Sequence, residues 1–127
     1  MQYWWAVALG GAFGALARYA GVAWVSGHLG RAFPWGTLSV NVLGCFLLGF
    51  LFVWLVEFLK TAPHWQAVCM TGFVGAFTTF STFALESLQL AQHQGWSFAL
   101  LYMGTSLILG LGSLALGIGL GRWCFAM

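Results

Sequence analysis

Charge is almost absent from this chain. Of its 127 residues only 5% are Asp, Glu, Lys or Arg, where a soluble domain carries about 25%. The formal charges are Arg18, Arg31, Glu57, Lys60, Glu86 and Arg122. They cannot clothe a water-facing surface, and so short a chain cannot hide a composition that is 61% hydrophobic inside a globular core. No basic run is present and the net charge is +2, so no phosphate-neutralising face exists and a nucleic-acid partner is excluded. Cysteine is scarce and odd in number. Cys45, Cys69 and Cys124 lie far apart with no metal-ligand spacing to a histidine, so neither a disulfide framework nor a zinc site is expected, and they read as small apolar helix residues. The apolar runs contain no carboxylate pair and no histidine; His28, His64 and His93 fall between them. With no nucleophile–base arrangement and no phosphate loop, an intramembrane enzyme is not expected. Residues Met1 to Trp5 lack the basic start of a signal peptide, so the first apolar segment is expected to be retained.

Lipid is the solvent that fits what is present. A hydrocarbon core of ~30 Å needs ~20 apolar helical residues. Four segments qualify, at about 4–25, 36–59, 65–90 and 96–120, and the chain reads as one all-α, four-span transmembrane domain over 1–127. Three short connectors join them, at 26–34, 60–64 and 91–95. Pro34 and Pro63 stand just before a span, where they remove no helical hydrogen bond. Eight Trp and twelve Phe suit a chain with interfacial aromatics. Glycine is abundant, with Gly10 and Gly14 in GxxxG spacing and Gly104, Gly110, Gly112, Gly117, Gly119 and Gly121 on the fourth span. Small residues let membrane helices approach closely. So many packing faces on four helices imply an oligomer. The charges favour neither side of the membrane. Lys60 and Arg122 fall on one side, Arg31 and, by snorkelling, Arg18 on the other, and the positive-inside rule needs an imbalance. Insertion in both orientations, with antiparallel pairing, is therefore expected.

Polar groups inside a span are costly and point to function. Thr37 and Asn41, four apart, share a face of the second span. The third reads GFVGAFTTFSTF over 72–83, with glycines, hydroxyls and phenyl rings at mid-membrane. Gly75 and the β-branched threonines weaken a helix there. A break is tolerated only where freed carbonyls find partners, and a cation would satisfy them. Tyr102 and Ser106 are one turn apart on the fourth span, with Ser113 on roughly the same face. Each of these sets has a plain alternative as helix-packing glue. Glu57 and Glu86 lie near span ends, where snorkelling to water is the default. Amide and hydroxyl donors, and the positive edges of Phe80 and Phe83, suit an anion. A wide chloride pore would call for a ring of Lys or Arg. The inventory permits fluoride without singling it out.

Three segments, GGAFGALARY (10–19), GTLSVNVLG (36–44) and GFVGAFTTFSTF (72–83), resemble the Fluc, or CrcB, family of fluoride channels, and the resemblance covers essentially the whole chain. It implies an antiparallel, dual-topology homodimer of four-helix subunits with a break in the third span. It implies two pores in which Phe80 and Phe83 form aromatic boxes for the ion. Asn41 would coordinate fluoride with Thr37 beside it. Ser81 and Thr82 would donate nearby, and Tyr102 and Ser106 would form a polar track. It also implies a structural, non-permeating sodium ion on the carbonyls of Gly75 and Thr78 from both chains, with Arg18 in a packing or charge role. Where the family's track continues with hydroxyls, this chain has Gly110 and Leu114. The implied activity is passive fluoride export across the inner (plasma) membrane, which lowers fluoride toxicity. The competing reading is a small multidrug-type, proton-coupled transporter. That class needs a carboxylate inside the membrane, and the first span carries Arg18 instead.

Overall fold

A computed structural model describes residues 2–125. Among them the regular structure is helical throughout. Helix α1 spans Trp4–Leu29 and α2 spans Trp35–Leu51, continuing as a π-helical stretch over Phe52–Phe58. A short α3 (Pro63–Gln66) leads into a second π-helical stretch, Ala67–Val74, then α4 (Gly75–Phe77) and α5 (Phe80–His93). Helix α6 spans Trp96–Cys124. Grouped by length and hydropathy, four stretches can cross a membrane: Trp4–Leu29, Trp35–Phe58, Pro63–His93 and Trp96–Cys124. The chain is therefore a multi-pass membrane protein. Each span starts within about two residues of its sequence expectation. The first, third and fourth run three or four residues further at their ends, because helix continues through the interface after the apolar run stops.

Glycine sets the packing. A Cβ on Gly10 or Gly14 would collide with the carbonyl oxygens of Val68 and Phe73, so α1 lies backbone against backbone on the third span. A Cβ on Gly117 would collide with the Phe46 carbonyl, and one on Gly49 with the Leu114 carbonyl, so α2 and α6 approach equally closely. Water contributes no hydrophobic force between helices in lipid, and such close contact is what van der Waals packing needs. Between α5, α6 and the start of α2 sits a small buried cluster of Leu38, Leu90, Ala99 and Tyr102. At the opposite end, the Arg122 guanidinium meets the Glu57 carboxylate at 2.9 Å and ties α6 to the end of the second span. Many large apolar side chains point outward, Leu107, Ile108 and Leu111 among them, as lipid-facing helices require.

Candidate functional site

The site is organised by two residues with extended backbone inside the third span. Thr78 (φ −88°, ψ 158°) follows α4 and Thr79 (φ −149°, ψ 119°) precedes α5. Three side chains take over the hydrogen bonds of the lost turn. Asn41 on α2 faces Thr79: its Nδ2 donates to the Thr79 carbonyl at 3.0 Å, and its Oδ1 accepts from the Thr79 amide at 2.8 Å. The Thr79 hydroxyl caps α5 by accepting from the Thr82 amide at 3.2 Å and donates to the Thr82 hydroxyl at 3.0 Å. Arg18 reaches from α1, and its Nε donates to the Ala76 carbonyl at 3.0 Å. Thr78 turns its own hydroxyl back to the Val74 carbonyl at 3.0 Å. Gly44 gives α2 room to approach, since a Cβ there would collide with the Thr78 methyl.

Two cavities meet at Thr79. The outer one, about 680 Å³, is lined by Arg18, Arg31, Thr37, Thr82, Glu86 and His93 among others. The inner one, about 320 Å³, is lined by Asn41, Cys45, Thr78, Phe80, Phe83 and Ser106 among others. The Phe80 and Phe83 rings lie 5.7 Å apart between centroids with their planes at 48°, and Phe80 is 79% exposed. A cavity with cationic and mixed polar groups thus adjoins, at Thr79, an open cleft lined by aromatic and hydroxyl-bearing residues.

The structure brings most of the expected residues together, and it changes the work several of them do. Asn41 spends one amide hydrogen and its oxygen on Thr79, which leaves its second N–H for a ligand. Thr37 is buried and donates to Glu86 Oε1 at 2.8 Å. Tyr102 is fully buried, lines neither cavity, and donates to Glu86 Oε2 at 2.8 Å while its ring packs on Phe83. Ser81 is exposed and lines neither cavity. The single Ser113 hydroxyl proton is shared between the Val42 carbonyl at 2.9 Å and the Gly110 carbonyl at 3.0 Å, so it holds α6 to α2. Ser106 keeps its place: its hydroxyl oxygen is buried without a hydrogen-bond partner. Glu86 requires a correction. Helix α5 runs on to His93, so this carboxylate does not snorkel from a span end; it gathers two buried hydroxyls at the wall of the outer cavity. Sequence reasoning also missed Thr79 as the hinge of the site. The signal for Thr79 was its T-x-x-T spacing to Thr82, an N-cap pattern.

The family model for CrcB-like protein, Camphor Resistance (CrcB), matches residues 5–118. A protein of Acidobacterium capsulatum named fluoride-specific ion channel FluC is 49% identical over 122 residues, covering 96% of this chain and 97% of the relative. Proteins of the same name are 53% identical in Hahella chejuensis, over 91% of each chain, and 51% identical in Magnetococcus marinus, over 96% of this chain and 98% of the relative. The chain belongs to the CrcB-like family.

Proposed function

We propose, with that membership as the premise, that this chain is a fluoride-selective ion channel that exports fluoride passively and lowers its toxicity in the cytoplasm. The observation that carries the reading is the arrangement around Thr79. A cavity bearing Arg18 and Arg31 adjoins a second one lined by Phe80, Phe83, Asn41 with its spare N–H, and Ser106, whose hydroxyl has no partner. Fluoride holds its water tightly, so a conducting path must return that solvation through close, directed donors and ring edges. Arg18, lodged against the Ala76 carbonyl, supplies positive potential without obstructing the path. None of the relatives above bears a drug-transporter name, so the proton-coupled alternative has no support.

The finer architecture belongs to the same proposal. Two copies pair antiparallel in the inner membrane. Phe80, Ser81 and Gly75 are exposed on a single chain, and on α6 a Cβ at Gly104, Gly112 or Gly119 would meet nothing within 4 Å, so these surfaces suit a second subunit. The interruption of the third span serves ion binding. The Thr79 amide goes to Asn41 and the Thr82 amide to the Thr79 hydroxyl. These are the donors that a continuous helix would aim at the Gly75 and Thr78 carbonyls. Two hard oxygen ligands are thereby released in each chain, which fits a sodium ion held between two copies. Such an ion would tie the breaks together and is not transported.

Fluoride efflux from liposomes, read with a fluoride electrode against a chloride electrode, tests the function. The expected result is fast fluoride release, little chloride release, and a sharp loss in Phe80→Ile. Equal fluoride and chloride rates would overturn it.

A further inference from the structure

We infer that Cys45 is a pore-lining hydrogen-bond donor for the permeating anion, its thiol standing where α6 offers none. The inference rests on the channel reading above and extends it to a residue whose sequence context marks only a small apolar helix position. Along α6 the donors facing the inner cavity stop at Ser106, since Gly110, one turn further, has no side chain. Gly110 nevertheless lines that cavity, and so does Cys45 on the facing α2. A Cβ built on Gly110 would lie 3.6 Å from the Cys45 sulfur, in ordinary contact. The thiol therefore borders the space into which a side chain at Gly110 would project.

Two further observations point to a ligand there. The Ser106 hydroxyl oxygen is buried with no partner, although a serine inside a helix commonly bonds a carbonyl one turn back, as Ser87 does to Phe83. Ser113 shows the contrast on α6, with two carbonyls engaged. The next donor position in the cavity is Cys45, on the same α2 face as Asn41 four residues before it. Asn41, Ser106 and Cys45, three residues that carry donors, thus line one cavity beside the Phe80 and Phe83 rings. A thiol is a weak donor, and an anion is the acceptor that makes most of it.

The test is fluoride efflux from liposomes holding the full chain, with a spectroscopic readout beside it. Cys45→Ala is expected to lower flux about tenfold, the loss of one modest hydrogen bond to a charged group. Cys45→Ser, which keeps a donor of similar size, is expected to stay within about threefold of wild type. Adding Gly110→Ser to Cys45→Ala returns a hydroxyl to the vacated space and is expected to recover most of the flux. In infrared spectra the S–H stretch that disappears in Cys45→Ser is expected to move to lower frequency with fluoride and to stay put with chloride. Wild-type rates in Cys45→Ala, an equal loss in Cys45→Ser, or an S–H band indifferent to fluoride would each overturn the assignment. Wild-type liposomes releasing no fluoride would instead overturn the channel reading beneath it.

Discussion

Asn41→Leu separates holding the backbone from touching the ion. The substitution keeps the volume and removes both partners of Thr79, whose amide and carbonyl now bond the Asn41 side chain at 2.8 and 3.0 Å. A backbone group left unpaired away from water costs ~1–3 kcal/mol, and Thr79 borders both cavities, so ~2–6 kcal/mol is the upper bound for the two together. That is a large share of the ~5–15 kcal/mol that holds a typical domain together. Because Thr79 caps α5, the loss should appear as an early, local opening of the third span as well as a lower midpoint. Steric trapping or reversible denaturant unfolding in micelles gives the midpoint. Hydrogen exchange at Thr79 and Thr82 gives the local opening. Asn41→Gln serves as the control, because its amide has the same groups one methylene too far out, and most of the same loss is expected. Native stability with unchanged exchange in Asn41→Leu, together with lost flux, would refute the clamp and leave Asn41 as an ion ligand alone.

Five other perturbations bear on the same reasoning. Asn41→Asp, which sets an anionic oxygen against the Thr79 carbonyl and beside the permeant ion, is expected to abolish most fluoride efflux in the liposome assay. Replacing sodium with N-methylglucamine on both faces of the liposomes is expected to reduce fluoride flux, and restoring sodium to recover it. Gly117→Leu, which drives a side chain into the Phe46 carbonyl, is expected to prevent a stable fold by gel filtration and circular dichroism, whereas Gly27→Ala, with open space around it, is expected to be neutral or mildly stabilising. Arg122→Gln breaks an exposed ion pair with Glu57 and is expected to leave the unfolding midpoint almost unchanged, the more so at high salt.

The spans were legible because hydropathy is local: a run such as 36–59 announces itself without knowledge of its neighbours. The region of interest was legible for a similar reason, since GFVGAFTTFSTF carries weak helix formers and polar groups where lipid tolerates neither. What could not be read was pairing across the fold. Nothing near Glu86 says that Thr37, 49 positions before it, and Tyr102, 16 after it, will both donate to its carboxylate. Asn41 read as an ion ligand because its partner Thr79 is 38 positions away. Tyr102 shares a helix face with Ser106, but helical spacing gives a direction and not a depth, and the Tyr102 side chain is fully buried. The π-helical stretches Phe52–Phe58 and Ala67–Val74 have no composition cue, since they arise when one extra residue is fitted within a turn to keep both flanking faces in register.

The close glycine contacts join the first span to the third and the second to the fourth. During synthesis, then, the first two spans enter the bilayer before either has met its tightest partner, and the second pair must slot in beside them. Assembly is interleaved, and the chain cannot commit to its final form until α6 has left the ribosome. The same interleaving makes the connector at Lys60 and Thr61 a natural seam: cut there, each half carries one member of both tight pairs. Two such fragments made separately would have a strong reason to find each other, and little reason to be stable apart.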